Sequence, residues 1–312
     1  MAFSLRNKDK GTTGLDIDGA YLSAVTTADG RVSAAASVDL PEGVVVEGEV
    51  QDPLQLTAAL KELFGSSGFP KTVRLGVSNQ QIVLREIELP RIEDDADREK
   101  AIKFQAQEAI PMPLDEAVLD HQLIGEVISA DGVARSRIVL VAARKSMIEM
   151  LLEAVRSAGL RPEGVDLDAF ALVRALAMPD PDPHEAVLYC HLGGITNLAI
   201  AVGSTCLFTR PLATVAAADA TDGEDPVPML AEEIRLSMDY YQAQPEARPV
   251  GRVMLSGPGS AREALVEHLT EATGLAVVAA EPLGMLSAPG LLPSEDPHRH
   301  TVAAGLALGA AA

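Results

Sequence analysis

The fold is decided by two similar stretches of sequence, LDIDGAYLSAV at residues 15–25 and CHLGGITNLAI at residues 190–200. Both place alternating or β-branched apolar residues on either side of a turn that contains glycine, which predicts a strand, a turn and a second strand. A third strand is predicted after each of them, at 30–40 and near 205–212. The repeat therefore predicts an α/β protein with two similar halves.

The glycine turns of the two stretches point to an anion site. A turn without a side chain lets backbone N–H groups approach an anion closely. Two such turns that face each other would hold a polyphosphate in the cleft between the halves, where ligands commonly bind. Either turn alone fits a plain β-hairpin. The indication comes from the pair, together with the sequence SGPGS at 256–260, which lies at a predicted strand–helix junction.

Composition narrows the class of protein. The 312 residues suffice for two domains. Aromatic residues make up 3% with no Trp, which argues against a stacking surface for single-stranded nucleic acid. The net charge of −20 disfavours DNA, RNA and anionic lipid as direct partners. Cys190 and Cys206 are expected to be free buried thiols, and the polar start and the short apolar tail at 301–312 predict a cytoplasmic protein without membrane insertion.

Local signals divide the remaining chain. Two capping boxes, Ser146 with Glu149 and Ser260 with Glu263, predict helix starts, and Gly274 predicts a helix end. A Pro- and Asp-rich linker at 179–184 is the predicted domain boundary, and 216–228 is a predicted loop. Further helices are predicted at 54–64, 97–110, 168–178 and 229–242, and further strands at 72–90, 118–128, 136–143 and 253–255.

The chain resembles the PilM-like proteins of type IV pilus assembly, which belong to the actin-like ATPase superfamily and are related to FtsA. The order of the three glycine-containing motifs is that of the superfamily: first phosphate loop, second phosphate loop, adenosine motif. The matching stretches run over most of the chain. They are LREIELP (84–90), AIKFQAQEAIPMPLDEAVLDHQLI (101–124), IVLVAARKSMIEMLLEAVRSAGLRPEGVDLDAFALVRAL (138–176), FTRPL (208–212), EEIRLSMDYY (232–241), VMLSGPGS (253–260) and TVAAGLALG (301–309).

The resemblance implies an actin-like fold of duplicated ribonuclease H-like domains with an inserted small α+β subdomain. The first domain would comprise 1–81 and 144–180, and the insertion 82–143. The second domain would span 185–300 with a reduced fourth subdomain. The C-terminal helix at 301–312 would pack back on the first domain.

The resemblance also implies a function and a partner. In this family the protein binds ATP between the domains and captures the cytoplasmic N-terminal peptide of PilN, an inner-membrane protein. The peptide lies in a groove between the core of the first domain and the inserted subdomain. The chain is therefore expected to be a cytoplasmic adaptor that is recruited to the inner face of the membrane. Whether it forms a homo-oligomer or ring, and whether it serves a pilus or a related secretion machine, is left open.

The family's nucleotide site is altered in this sequence. Asp18 stands where glycine is usual, Ser23 where a basic residue is usual, and His191 where aspartate is usual. A serine does not neutralise phosphate, and imidazole is a poor ligand for Mg²⁺. Loss of hydrolysis is expected, and binding of ATP and Mg²⁺ is in doubt. If nucleotide binding is retained, the resemblance assigns it to Asp16, Asp18, Gly19, Tyr21, His191, Gly193, Gly194, Thr196, Asn197, Glu233, Gly257 and Gly259.

No catalytic residue and no metal site are assigned. His191 as a base or metal ligand is the weaker alternative, because Cys190 and His191 point to opposite faces of a strand. His298 and His300 are expected in a solvated loop. Asp16 is either a nucleotide ligand or a hydrogen-bonded turn residue. For the peptide groove we expect the apolar residues of the inserted helix and its exit, Ile102, Phe104, Ile110 and Met112; the alternative is that most of them form the core of the subdomain.

Two other functions are kept as alternatives. An active actin-like ATPase would need a charged, Mg²⁺-competent cleft, which Ser23 and His191 weaken. An FtsA-like division protein would need an amphipathic membrane anchor, which the tail at 301–312 does not provide.

Overall fold

The computed structural model describes residues 12–28, 31–128, 132–177, 182–213, 227–244, 247–280 and 296–309. The strands are β1 Thr13–Ile17, β2 Tyr21–Ala28, β3 Arg31–Asp39, β4 Val45–Val46, β5 Glu49–Val50, β6 Thr72–Val77, β7 Val83–Pro90, β8 Ala117–Ile128, β9 Ala134–Arg144, β10 Arg161–Leu167, β11 Ala186–His191, β12 Ile195–Val202, β13 Thr205–Ala213, β14 Val250–Ser256 and β15 Ala276–Ala279. The helices are α1 Pro53–Ser67, α2 Asp95–Ala109, α3 Lys145–Ser157, α4 Asp168–Leu176, α5 Val227–Gln242, α6 Glu263–Thr273 and α7 Thr301–Gly309, with a 3₁₀ turn at Pro297–His300.

The two halves contain equivalent five-stranded sheets. The first sheet has the order β10-β6-β1-β2-β3 and the second β13-β12-β11-β14-β15. In each sheet an antiparallel hairpin is followed by a third antiparallel strand. A later strand pairs in parallel with the first strand of the hairpin, and one more strand pairs in parallel with that later strand. The duplication that the repeat predicts is therefore present in the strand order itself.

A third, smaller sheet lies between β6 and α3 in the chain. Its order is β7-β9-β8, and α2 packs on one face, where Ile102 and Ala106 meet Ile138, Leu140 and Ala142. Because side chains alternate along a strand, the residues of β9 between these, such as Val139 and Val141, belong to the opposite face. The sheet therefore has one covered face and one that faces the rest of the molecule.

Helices α4 and α7 lie between the two large sheets. Ala303, Ala304 and Ala307 of α7 pack on the first sheet, and α4 packs on the second. Glycines allow α7 to approach β1 and α4 closely. A Cβ at Gly14 of β1 would lie 2.0 Å from the carbonyl oxygen of Ala303, and one at Gly305 of α7 would lie 1.9 Å from that of Ala171. The apolar tail is therefore a buried helix up to residue 309, and no helix of the described residues is long and apolar enough to cross a bilayer.

Some local predictions were wrong. Neither predicted capping box forms, because α3 begins after Arg144 and α6 after Arg262, and neither helix has a side-chain cap. Strands β10 and β15 were not predicted from the sequence. Gly274 does end α6 in the left-handed conformation, and Cys190 and Cys206 are buried and free. The predicted loop at 216–228, up to residue 226, and the linker at 179–184, up to residue 181, lie outside the described residues.

Candidate functional site

The first glycine turn joins β1 to β2 and carries a buried carboxylate. The N–H of Asp18 donates to the carbonyl of Tyr21 over 3.1 Å, which closes the turn. The Asp18 side chain accepts a hydrogen bond from the N–H of Ala20 over 2.8 Å. It also accepts from two residues of the second turn, Gly194 over 2.7 Å and Ile195 over 3.4 Å. One carboxylate therefore binds the backbone of both turns.

The second turn joins β11 to β12 and begins with His191. This side chain is buried, with Nδ1 3.0 Å from the Ser256 hydroxyl and Nε2 3.5 Å from the Tyr21 hydroxyl. Burial and, to a smaller extent, His298 together lower the pKa of His191 to about 4, so the ring is neutral at pH 7. A neutral ring held on both nitrogens connects β11, β14 and β2. His191 thus links these three strands through its side chain.

The third turn follows β14 and lies beside the second. Gly257 has a positive φ of 90°, and a Cβ there would lie 1.9 Å from the carbonyl oxygen of Leu192. Gly259 also has a positive φ, of 76°. Ser260 is buried, and its hydroxyl lies 3.2 Å from Nδ1 of His298. The three motifs that the sequence singled out therefore meet at one place, although they are far apart in the chain.

Two further carboxyl groups are buried beside the first turn. Asp16 near the end of β1 and Asp168 at the start of α4 are both less than a tenth exposed. Burial raises the pKa of Asp168 to about 8, with Asp18 and Asp166 as further causes. Burial and then Asp168 raise the pKa of Asp16 well above its ordinary value. Asp168 therefore holds its proton at neutral pH. Sequence reasoning missed it because a helix-starting Asp is ordinary.

The residues just before α7 complete the cleft, which corrects the prediction of a solvated loop for His298 and His300. His300 is fully buried, and its Nδ1 lies 2.7 Å from the Ser23 hydroxyl. The Arg299 guanidinium lies 5.1 Å from the centre of the Tyr21 ring and binds Asp39 over 2.7 Å. The sequence carried no signal for these contacts, because the hydrogen-bonded partners lie 277 and 260 residues apart.

The remaining nucleotide candidates are more dispersed. Asn197 accepts a hydrogen bond from the Ser78 hydroxyl, and its amide lies 3.5 Å from the carbonyl oxygen of Ile195. The Thr196 hydroxyl is buried and makes no hydrogen bond within the described residues. Glu233 lies on α5, where its carboxylate pairs with Arg210 over 2.7 Å. Asn197 and Thr196 thus belong to the cleft, whereas Glu233 lies on α5 and forms an ion pair with Arg210 of β13.

Between the described residues of the two glycine turns there is little room for Mg·ATP. Gly19 and Gly194 are in contact, since a Cβ on Gly194 would lie 2.9 Å from the Cα of Gly19. A cavity of about 20 Å³ borders Gly194, about the space of one water molecule, and a separate cavity of about 410 Å³ lies beside Arg210 and Glu233. Ser23 and His191, where the resemblance leads one to expect a basic residue and an aspartate, lie within hydrogen-bond distance of His300 and Ser256. Among the described residues, no group of three or more His, Cys, Asp or Glu could hold a metal ion.

A second, open site lies between the small sheet and the first domain. This groove is defined by β8 and β9 on one side and by β10 and the start of α4 on the other, and it encloses about 540 Å³. Its apolar lining includes Val118, Val139, Val141, Val165 and Phe170. Polar groups are Asp120, His121, Gln122 and the ion pair of Arg174 with Asp166.

The groove lies on the opposite face of the small sheet from the residues predicted for it. Ile102 and Ile110 are buried in the core between α2 and the sheet, and Met112 packs partly against that core. Phe104 is 66% exposed and does not line the groove. Ile102, Ile110 and Met112 therefore contribute to the core of the small subdomain, as in the alternative given above. Their assignment and that of Phe104 to a peptide site remains a prediction, whereas the open groove lies on the other face of the sheet.

Comparisons with known proteins agree with this architecture. The chain is similar to a solved structure of the PilM–PilN type IV pilus biogenesis complex, with 24% identity, a TM-score of 0.80, and coverage of 96% of this chain and 98% of that one. It is also similar to the ethanolamine utilization protein EutJ from Carboxydothermus hydrogenoformans, with 15% identity, a TM-score of 0.55, and coverage of 95% and 89%. A third is the cytoplasmic domain of EpsL from the type II secretion system of Vibrio cholerae, with 12% identity, a TM-score of 0.51, and coverage of 96% and 94%.

These likenesses establish the actin-like fold. The family is shown by sequence, because the family model described as type IV pilus assembly protein PilM matches residues 14–213. That range contains the first glycine turn, the whole small sheet, both sides of the groove and the second glycine turn. The chain therefore belongs to the PilM family of type IV pilus assembly proteins.

Proposed function

We propose that this chain is a non-enzymatic adaptor of a type IV pilus machine. It captures the cytoplasmic N-terminal peptide of a PilN-like inner-membrane protein in the groove between β8 and β10. The observation that carries the proposal is the groove itself: two sheet edges border one apolar cavity in a member of the PilM family. Through this peptide the adaptor is recruited to the inner face of the cell membrane.

Both walls of the groove offer backbone groups to a partner. Strand β8 is the edge of the small sheet and pairs with β9 alone, and β10 is the edge of the first sheet and pairs with β6 alone, among the described strands. An edge strand presents unpaired N–H and C=O groups on its free side, and an extended peptide can add there as a further strand. Main-chain bonding gives affinity in such complexes, and side-chain pockets give specificity.

The lining of the groove defines the chemistry of the peptide. Val118 and Val165 are 43% and 37% exposed on opposite walls, which leaves apolar surface for alternate side chains of a bound strand. Asp120 lies on the same face of β8, opposite Val141 of β9, and is exposed. An extended apolar segment that carries a basic residue is therefore the matching ligand. The chain's net charge of −20 favours such a segment over an acidic one.

The proposal does not assign ATP hydrolysis to the chain. Hydrolysis in this fold needs positive charge and a hard oxygen ligand for Mg²⁺ at the phosphates. Ser23 and His191 occupy those positions, and both bind protein groups instead. We infer that the cleft between the domains serves the structure and that the groove serves the partner.

The test is a binding measurement on full-length protein with a synthetic peptide that matches the cytoplasmic N-terminus of the PilN-like protein. Val118→Glu and Val165→Glu each place a charge in the groove at an exposed position, so the fold is expected to remain intact. We expect each to weaken peptide binding at least about tenfold by isothermal titration calorimetry, because a charge would be desolvated.

Ile128→Glu is the matched control. Ile128 is 76% exposed on the same strand as Val118 but outside the groove. It makes the same chemical change on the same strand, and peptide affinity should stay within about twofold of wild type. Equal affinity in all three variants, with unchanged circular dichroism spectra, would remove the groove from the function.

A further inference from the structure

We propose that the Asp18 carboxylate takes the place of a nucleotide phosphate, so that the protein itself supplies the anion that joins its two domains. The inference goes beyond the adaptor role and rests on the proposed function only in treating the cleft as vestigial. It explains why the Asp18 carboxylate is only 8% exposed between two glycine turns, although burial of a carboxylate is energetically unfavourable.

The first observation is which groups Asp18 binds. Its three hydrogen bonds come from backbone N–H groups, those of Ala20 in its own turn and of Gly194 and Ile195 in the opposite turn. Backbone N–H groups of facing glycine turns are the groups that would cradle a phosphate oxygen. A carboxylate and a phosphate are both oxyanions, and a carboxylate can accept all three bonds. The donors of the cleft are therefore already used.

The second observation is space. A Cβ on Gly193 would lie 2.4 Å from Oδ2 of Asp18, and one on Gly194 would lie 2.6 Å from Oδ1. Real Cβ atoms do not approach other heavy atoms this closely, so the carboxylate fills the room that the two glycines leave. The glycines are thus required by the side chain of Asp18. No separate anion fits between the described atoms of the two turns while that side chain is present.

The third observation is charge. Burial raises the pKa of Asp18 above its ordinary value, and the hydrogen bonds from Ala20, Gly194 and Ile195 and the charge of Arg299 offset part of that rise. Arg299 comes from the turn before α7, far in sequence from both glycine turns. Arg299 therefore contributes positive charge near Asp18, while its guanidinium pairs with the exposed Asp39.

The consequence concerns the relation between the domains. A ligand that joins two domains makes their closure depend on ligand concentration. An anion that is part of the chain makes closure independent of any ligand. We infer that the adaptor presents its groove in one fixed arrangement and is not switched by nucleotide.

The experiment measures thermal unfolding of wild type and Asp18→Gly, each with and without 10 mM tripolyphosphate at matched ionic strength. Wild type should show no shift with tripolyphosphate. Asp18→Gly should melt at least about 5 °C lower, because buried N–H groups lose their partner. Tripolyphosphate should restore part of that loss, because it supplies the missing anion. Asp39→Asn is the control: it removes an exposed carboxylate near Arg299, and tripolyphosphate should leave its melting temperature unchanged.

Three outcomes would overturn the proposal. They are an Asp18→Gly variant as stable as wild type, a destabilised variant without restoration by tripolyphosphate, and a wild type that gains as much from tripolyphosphate as the variant. If Asp18→Gly does not fold, Asp18→Asn keeps the shape but loses the charge. Amide hydrogen exchange at Gly194 and Ile195 should then be at least about tenfold faster than in wild type, and unchanged exchange would be equally decisive against the proposal.

Peptide binding is measured on the same variants. Asp18→Gly that binds the PilN-like peptide normally but shows no restoration by tripolyphosphate overturns the inference about Asp18 and leaves the adaptor role intact. Loss of peptide binding in Val118→Glu and Val165→Glu concerns the groove alone. Each of the two proposals can therefore be disproved without affecting the other.

Discussion

The cleft between the glycine turns and the groove between β8 and β10 are both bounded by the first domain, and residues 165–168 contribute to each. Val165 and Asp166 line the groove, whereas Asp168 lies beside Asp16 in the cleft. In the cleft, Asp18, Ser23 and His191 each bind another part of the chain. In the groove, apolar side chains and two strand edges face a cavity of about 540 Å³.

The difference is one of packing: the chain's own groups fill the cleft, whereas the groove remains open. A site is closed when the protein's own groups satisfy every donor and fill the space. It stays open when apolar surface and strand edges are left for a partner. Three predictions test this contrast, beyond the two experiments above.

The largest effect is expected from Gly194→Ala. Its Cβ would meet Oδ1 of Asp18 at 2.6 Å and the backbone N of Ala20 at 2.7 Å, so the two turns would be forced apart. We expect a loss of about 3 kcal/mol in the free energy of unfolding, measured in urea. Gly65→Ala is the control. Gly65 is exposed in α1, and a Cβ there meets no atom within 4 Å, so this variant should gain up to about 1 kcal/mol in the free energy of unfolding. Equal stability of the two variants would mean that the cleft is not tightly closed.

A smaller effect is expected from Asp168→Asn, and it depends on pH. The pKa of Asp168 is about 8 in the native state, and its ordinary value, expected in the unfolded chain, is 3.8. Between these pH values the native state holds a proton that the unfolded chain releases. Rising pH therefore removes stability from wild type over that window, until the native group ionises near pH 8. Asparagine does not ionise. The stability of the variant relative to wild type should therefore rise steadily between pH 5 and pH 8.

Urea unfolding at pH 5, 7 and 9 measures this difference. His191 and His300 add an opposite trend in both proteins. Burial lowers the pKa of each to about 4, so stability falls as the pH drops from about 6.5 toward 4. The histidine contribution cancels when variant and wild type are compared. A stability difference that is flat with pH would show that Asp168 is ionised in the native state.

The smallest effect is expected from Phe104→Asp. Phe104 is 66% exposed on α2, across the small sheet from the groove. Binding of the PilN-like peptide, measured by calorimetry, should change by less than about twofold, because no groove contact is altered. A tenfold loss with an intact fold would move the partner's site to the α2 face and reopen the original prediction for Ile102, Ile110 and Met112.

Much of this molecule could be predicted from the sequence alone. The repeat at 15–25 and 190–200 predicted two equivalent sheets, and the strand orders confirm them. The resemblance to PilM proteins predicted the family, and the family model confirms it. These features rest on local spacing and on residue types, which a sequence records directly. The assignment of individual residues to nucleotide and peptide sites remains a prediction.

Other features were decided only by tertiary structure. The sequence places Asp18 and His191 in glycine turns, but it does not show that Asp18 binds Gly194 or that His300 binds Ser23, since the partners lie 176 and 277 residues apart. It shows that the inserted helix and its exit carry apolar residues, but not which face of the small sheet is covered. Hydrophobic periodicity defines a face and not its partner. Packing between residues far apart in the chain decides what each face contacts. Here it fills the cleft between the glycine turns and leaves the groove between β8 and β10 open.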